Sequence, residues 1–265
     1  MVRSLWSAAT GMVAQQTNID TIANNLANVN TTGYKTEVAQ FKSLLYQTLQ
    51  TRTTTANGDP KPVGAQVGLG VRNSSISSIF GQGAFQDSES TTDFAISGKG
   101  LFAIMGDDGE TYYTRNGNFF LNTNDSDGLT LCTSDGYLLQ PQITVPQNTT
   151  EVNITPDGNI SVKVGNDNTQ TIVGQIQLVR FQNPAGLLSI GHNLYVETPA
   201  SGTPIPGTPD QDGLGSIQQA FLEGSNVQIV DEMINLIKAE RAFETNSKII
   251  SAASDILRTT NQIVS

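Results

Sequence analysis

Apolar side chains recur every seven residues at both ends of this chain and lose that period between them. Near the start, the ladder is Leu5, Met12, Ile19 and Leu26, with Ala8, Ile22 and Val29 on the neighbouring seam. Near the end it is Ile229, Leu236, Phe243, Ile250, Leu257 and Val264, with Met233 beside it. A heptad keeps one stripe facing a partner helix through many turns, which is the pattern of a coiled coil. The spacing predicts a first helix from about Ser4 to Asn30, stopping at Gly33, whose freedom at positive φ suits a helix C-terminus. A second helix is expected from near Asn226 onward. Two such stripes pair with each other or with the same stripes on other copies, and the second option points to an assembling protein.

Between the ladders the pattern is that of β-structure. Phe41 to Leu49 is a short apolar stretch, followed by a polar, Thr-rich segment with turn signals at Asn57-Gly58, Asp59-Pro60 and Lys61-Pro62. Val67 to Ile79 reads as extended, so 34–80 is expected to form an arm or long hairpin. Beyond it, Asp-Gly pairs at 108–109, 127–128, 135–136, 157–158 and 212–213, with Asn-Gly at 116–117, favour turns joining antiparallel strands. Strands are expected at Phe94–Ser97, Leu101–Met105, Thr111–Thr114, Leu129–Cys132, Tyr137–Leu139, Val152–Ile154, Ile160–Val164, Ile172–Leu178 and Leu194–Glu197. Thr198–Gly215 reads as a linker or long loop. The expected fold is therefore α+β: terminal helices pairing as a coiled-coil-like domain (1–33 and 225–265), an extended arm (34–80) and a central antiparallel barrel or sandwich (81–224).

Composition narrows the class. Of 265 residues, 37% are apolar and only 14% charged, with 25 Gly, which suits a secreted or surface β-protein more than a cytosolic enzyme. The net charge of −10 is uneven: 1–72 hold six Lys/Arg against three Asp/Glu, and 73–224 hold four against sixteen. An acidic centre of this kind repels nucleic acid and anionic lipid. Neither a zinc-type cluster nor an internal disulfide is available to the single Cys132. The residues after Arg3 lack the roughly 7–15-residue apolar core of a signal peptide, and no run reaches the ~20 apolar residues of a membrane span. Export, if it occurs, is expected without an ordinary cleaved signal.

Apparent catalytic motifs dissolve on inspection. Gly98-Lys-Gly-Leu-Phe-Ala103 matches a dinucleotide pattern, but a strand rather than a helix is expected to follow it. Asp125-Ser-Asp127-Gly128 resembles a calcium loop whose first position would be Thr123 and whose twelfth is Ser134, where a bidentate Glu is needed. His192 is the only histidine, and its loop context names no triad partners. No cofactor, metal or catalytic residue is expected. The polar face of the first helix is rich in amides, at Asn18, Asn24, Asn25 and Asn28, of which Asn24 and Asn28 share one face. They read either as a fraying, Asn-rich helix end or as donors and acceptors for neighbouring subunits.

Ala23-Asn-Asn-Leu-Ala-Asn-Val-Asn-Thr-Thr-Gly-Tyr-Lys35 resembles the N-terminal signature of bacterial flagellar rod and hook proteins, and Arg3-Ser-Leu-Trp-Ser-Ala-Ala-Thr-Gly-Met12 fits it. Ser225-Asn-Val-Gln-Ile-Val-Asp-Glu-Met-Ile-Asn-Leu-Ile237 and Arg241-Ala-Phe-Glu-Thr-Asn-Ser-Lys248 resemble the matching C-terminal signature, and Gly191-His-Asn-Leu-Tyr195 a stretch between them. The compact middle, and Leu44-Leu-Tyr-Gln-Thr48 with the polar stretch to Val63, are similar to the distal-rod branch; proximal-rod paralogues share the termini. A secreted β-domain adhesin or carbohydrate-active enzyme is the reading from a different class.

The resemblance implies a structural axial subunit, not an enzyme. It implies export through the flagellar type III apparatus and stacking of many copies into a helical tube, with the terminal helices innermost. The implied location is the periplasmic rod of the basal body. Its implied neighbours are proximal-rod proteins, the hook or hook-base junction, and the P-ring and L-ring proteins. The residues expected at the self-assembly interface are Leu5, Met12, Ile19, Ile22, Asn24, Asn25, Leu26, Asn28, Val29, Ile229, Met233, Leu236, Phe243, Ile250 and Leu257. A lone terminal helix cannot offset its ordering entropy, so both ends are expected to fold on assembly around a β-core near 34–224.

Overall fold

The computed structural model describes residues 2–50, 64–124, 128–165 and 170–264. Among them the chain forms helices α1 (Val2–Ala27) and α2 (Ile229–Val264) and twenty-one strands. These fall into two compact units. One comprises 1–27, 37–77 and 228–265, the other 28–36 and 78–227.

In the helical unit, α1 packs against α2 through small and polar side chains. The buried positions of α1 are Ala8, Ala14, Thr21, Ile22 and Asn25; those of α2 are Glu232, Ala239 and Ala253. Gly11 faces Asn246, whose Nδ2 lies 3.0 Å from where a Cβ on Gly11 would stand. Small residues at the seam let the two backbones approach closely. In the same unit Glu37–Ser43 pairs with Val71–Ser78, and Tyr46–Gln50 pairs antiparallel with Ala65–Gly68, so the described strands of the arm form two successive pairs. The three turn signals expected at 57–62 lie outside the described residues.

Both helix boundaries differ from the periodicity. α1 ends at Ala27 rather than near Asn30 because the following side chains bond outside the helix. Asn28 accepts from the Thr31 hydroxyl at 3.2 Å, and the Thr31 amide turns back to the Asn28 carbonyl. α2 starts at Ile229 because Asn226 is engaged elsewhere. Gly33 has φ +72, as expected, but six residues beyond the helix end. A Cβ there would meet the Asn116 amide nitrogen at 2.6 Å. Gly33→Ala combines this overlap with left-handed strain, so the β-unit should lose at least ~1–3 kcal/mol. Urea unfolding followed by near-ultraviolet circular dichroism measures that loss.

The β-unit centres on an open sheet of ten strands among the described residues. Leu101–Met105 lies at its middle, with Thr111–Thr114 on one side and Leu138–Gln140 and Leu178–Arg180 on the other. The path runs from Thr144–Val145 to Leu188–Gly191 without those two ends pairing, so the expected barrel does not close. Successive residues of a strand point to opposite faces. Accordingly Phe102 and Ile104 enter one apolar cluster with Phe94, Phe119 and Leu178, whereas Leu101 and Ala103 enter another with Tyr113, Val179 and Phe181. A three-stranded meander (Thr149–Ile154, Asn159–Val164, Gln170–Gln175) adds Ile154, Ile160 and Val162 to the first.

Asp108-Gly109, Asp135-Gly136 and Asp157-Gly158 turn between antiparallel strands, each Gly at positive φ. Asp125–Asp127 lie outside the described residues. Asn116-Gly117 makes no hairpin: a Cβ on Gly117 would stand 1.6 Å from the Phe94 carbonyl oxygen, so this Gly serves close backbone packing instead. The expected strand Ile172–Leu178 is broken after Gln175, and a separate strand begins at Leu178.

Candidate functional site: the terminal helices and an ionic clasp

The residues expected at the self-assembly interface occupy three environments. Ile22 and Asn25 are buried within the helical unit. Leu5, Met12, Ile19, Leu26, Leu236, Ile250 and Leu257 are half-buried along the helices, as are Asn28 and Val29 in the β-unit. Ile229, Met233 and Phe243 are exposed, as is Asn24. The deeply buried ladder of α2 lies three positions on from the apolar one, at Glu232, Ala239 and Ala253.

Each helix also carries an apolar row that the heptads did not single out. Trp6 and Val13, seven apart on α1, are both 66% exposed. On α2, Val230 and Ile237 form one exposed pair seven apart, and Ile249, Ile256 and Ile263 form a second row at the same spacing, roughly 120° round the helix from the first. Isolated exposed apolar residues are ordinary, but contiguous rows of large ones mark interaction surfaces.

The amide of Asn25 is bonded within the chain. It donates to the Glu37 carbonyl at 2.8 Å and accepts from the Glu37 amide at 2.9 Å, the pattern of a neighbouring strand supplied by one side chain. It also reaches the Glu232 carboxylate at 3.4 Å, and Asn24 donates to the Glu37 carboxylate at 3.4 Å. Burial raises the Glu232 carboxyl above its ordinary 4.5; the Asn25 hydrogen bond opposes this and Asp231 adds to it. A carboxyl whose folded value is raised stabilises the fold fully below its unfolded value, and that stability is lost as pH rises through the folded value. Glu232→Gln should therefore stabilise the helix pair at pH 7 and flatten its stability between pH 4.5 and neutrality. Thermal unfolding at α-helical wavelengths across that range reads both effects.

In the β-unit a buried ionic clasp joins segments far apart in sequence. Lys35 and Arg115 both bind the Glu223 carboxylate, Lys35 at 2.7 Å and Arg115 through Nε. All three side chains are at most 5% exposed. The same carboxylate accepts from the Gly83 amide at 2.8 Å, and the Glu223 carbonyl accepts from the Gly33 amide at 2.8 Å. Arg115 donates onward to the carbonyls of Ile96 and Gly98 at 2.7 and 2.6 Å, and Lys35 to that of Gly81 at 2.7 Å. Three residues on, the Asn226 side chain accepts from the Thr36 amide and hydroxyl, both at 2.8 Å, and donates to the Ile79 carbonyl at 2.9 Å. Desolvation lowers the Lys35 ammonium below its usual 10.5, against the pull of Glu223. The sequence reading missed this clasp. Its only sequence signal is the scarcity of cations in an acidic region, which makes each Lys or Arg there conspicuous.

Of the discounted motifs, Gly98–Ala103 and His192 lie among the described residues and Asp125–Asp127 do not. Gly98–Ala103 runs from a tight bend into the strand Leu101–Met105, with no helix to receive a pyrophosphate. His192 is exposed, 3.9 Å from the Asp135 carboxylate. Cys132 is buried, and burial pushes its thiol up. Among the described residues no group of three His, Cys, Asp or Glu is placed to hold a metal, and no helix is long and apolar enough to cross a membrane.

Two terminal helices bearing exposed apolar rows, joined to an antiparallel β-unit, are the build of a subunit that has surfaces left to cover, and comparison with known proteins places the chain among structural components of the flagellar rod. Three family models match in chain order. They are the flagella basal body rod protein over 5–35, the flagellar hook protein FlgE/F/G D1 domain over 95–162, and the flagellar basal body rod FlgEFG protein C-terminal region over 218–263. The chain is 44% identical to the flagellar basal-body rod protein FlgG of Borreliella burgdorferi, covering 99% of each chain. It is 45% identical to that of Caulobacter vibrioides, again over 99% of each, and 40% identical to that of Bacillus subtilis, over 97% of each. The chain belongs to the FlgG family of flagellar basal-body rod proteins.

Proposed function

We propose that this chain polymerises into the distal rod of the flagellum, the rigid shaft that crosses the periplasm between the proximal rod and the hook. The observation that carries the reading is the pair of exposed apolar rows on α1 and α2, which a lattice of copies would bury. In this reading the helices form a coiled-coil-like inner wall of a helical tube (1–33 and 225–265). The arm (34–80) stiffens it, and the central β-domain (81–224) lies outside. Leu5, Met12, Ile19, Leu26, Leu236, Phe243, Ile250 and Leu257 with the exposed rows make its apolar seams. Ile22, Val29, Ile229 and Met233 extend them, and the amides of Asn24, Asn25 and Asn28 hold the turn that follows α1.

The shaft turns within the P and L rings, and the subunits arrive through the type III export apparatus without signal cleavage. Electron microscopy of the purified chain should reveal helical tubes; dispersed particles at all concentrations would sink the proposal. Immunolabelling of isolated basal bodies should place the subunit between the proximal rod and the hook. Deleting 48–63 should yield rods that bend.

A further inference from the structure

The β-unit holds sixteen Asp/Glu and five Lys/Arg, yet four of those five cations line a single cavity of about 470 Å³. Lys35 and Arg115 form its inner wall, already sharing Glu223. Lys99 and Arg180 stand exposed at its rim, without an ion pair among the described residues. With Glu223 and the adjacent Asp212 counted, cations still outnumber carboxylates four to two. Phe80 and Phe181 supply an apolar floor. A concave site with apolar walls and convergent cations suits a carboxylate-bearing segment.

The same hairpin presents such a segment at its other end. Gly98, Gly100, Leu101 and Arg115 line the cavity at the open end of the Leu101–Met105 and Thr111–Thr114 pair. Its closed end is the turn bearing Asp107, Asp108 and Glu110, all exposed. At ~3.3 Å per residue the strand between them holds the two at least roughly 13 Å apart, at opposite ends of the hairpin. Complementary patches at opposite ends of one element make a heterologous contact, which repeats without closing and so builds a filament.

We propose that the cationic cavity receives the acidic 107–110 turn of a second copy of this chain, a head-to-tail contact between β-units. This rests on the assembly reading above. Three full-length variants test it: K99E/R180E, D107K/D108K/E110K, and the chain carrying both sets, each checked for a wild-type circular dichroism spectrum. Each reversal alone sets like charges face to face and should raise the critical concentration for tubes about tenfold. The combined chain should return to within about threefold of wild type. Wild-type assembly by either single set, or no restoration by the combined chain, would overturn the contact. Absence of tubes from the wild-type chain itself would instead overturn the assembly reading. A zero-length carbodiimide cross-link between Lys99 and Glu110, found between isotopically labelled and unlabelled copies in tubes, is the expected direct readout.

Discussion

Glu223→Gln should destabilise the β-unit by about 3–5 kcal/mol, a large share of the ~5–15 kcal/mol that holds a domain folded. The cause is not the loss of a favourable ion pair as such. Taking the charge from Glu223 leaves Lys35 and Arg115 both buried, with one anion fewer than they need. Each cation is also held in place by backbone carbonyls, Gly81 for Lys35 and Ile96 and Gly98 for Arg115, so reaching further solvent would break those bonds. Equilibrium urea unfolding should show the midpoint falling with little change in slope. A loss under about 1 kcal/mol would mean that the buried charges relax by some other route.

Lys35→Met provides the contrast. Glu223 keeps Arg115 and the Gly83 amide, and the Gly81 carbonyl retains the Asn226 side chain at 3.3 Å. Lys35→Met should therefore cost less than Glu223→Gln, and the double variant less than the sum of the two. The pH dependence has an unusual sign for a lysine in an ion pair. Its folded pKa lies below the ordinary 10.5, so between the folded value and 10.5 the unfolded chain binds more protons. Stability from this residue consequently rises with pH through that window. Lys35→Met should remove that rise, and unfolding in urea from pH 8 to 10.5 compares the two slopes.

The helices were legible because a seven-residue period over several turns has few competing explanations. The inner pairing was less so. Large side chains announce a stripe, but the buried positions of α2 include Ala239 and Ala253, and Gly11 of α1 lies against Asn246; such small residues give little hydropathy signal. Strands bounded by Asp-Gly turns were readable for a similar local reason: Gly109, Gly136 and Gly158 supply the positive φ their turns need. Gly117, in an Asn-Gly pair that carries a similar turn signal, does something else, because its contact is with Phe94, on another strand. The clasp depends on separations of 188 and 108 residues, between Lys35 and Glu223 and between Arg115 and Glu223. No local pattern encodes pairings at that range, so they enter only through the fold.

Ile237→Asp and Ile256→Asp should abolish tube formation while leaving the isolated chain folded. Both side chains are more than half exposed, at 54% and 53%, so the substitutions remove little intrachain burial. In a lattice each would place a charge where the neighbouring copy offers apolar surface. The lost apolar burial is ~1.5–3 kcal/mol per site, and an unpaired buried charge adds a larger penalty. At 1.4 kcal/mol per tenfold, these raise the critical concentration by about a hundredfold or more. Leu26→Asp and Leu257→Asp, at half-buried positions of α1 and α2, should also block assembly but lower monomer stability with it. The pair of measurements, sedimentation for assembly and thermal unfolding for the monomer, separates the two surfaces. If Ile237→Asp formed tubes at wild-type concentration, the exposed row would face solvent in the rod, and the seam between copies would have to be sought along the half-buried ladder instead.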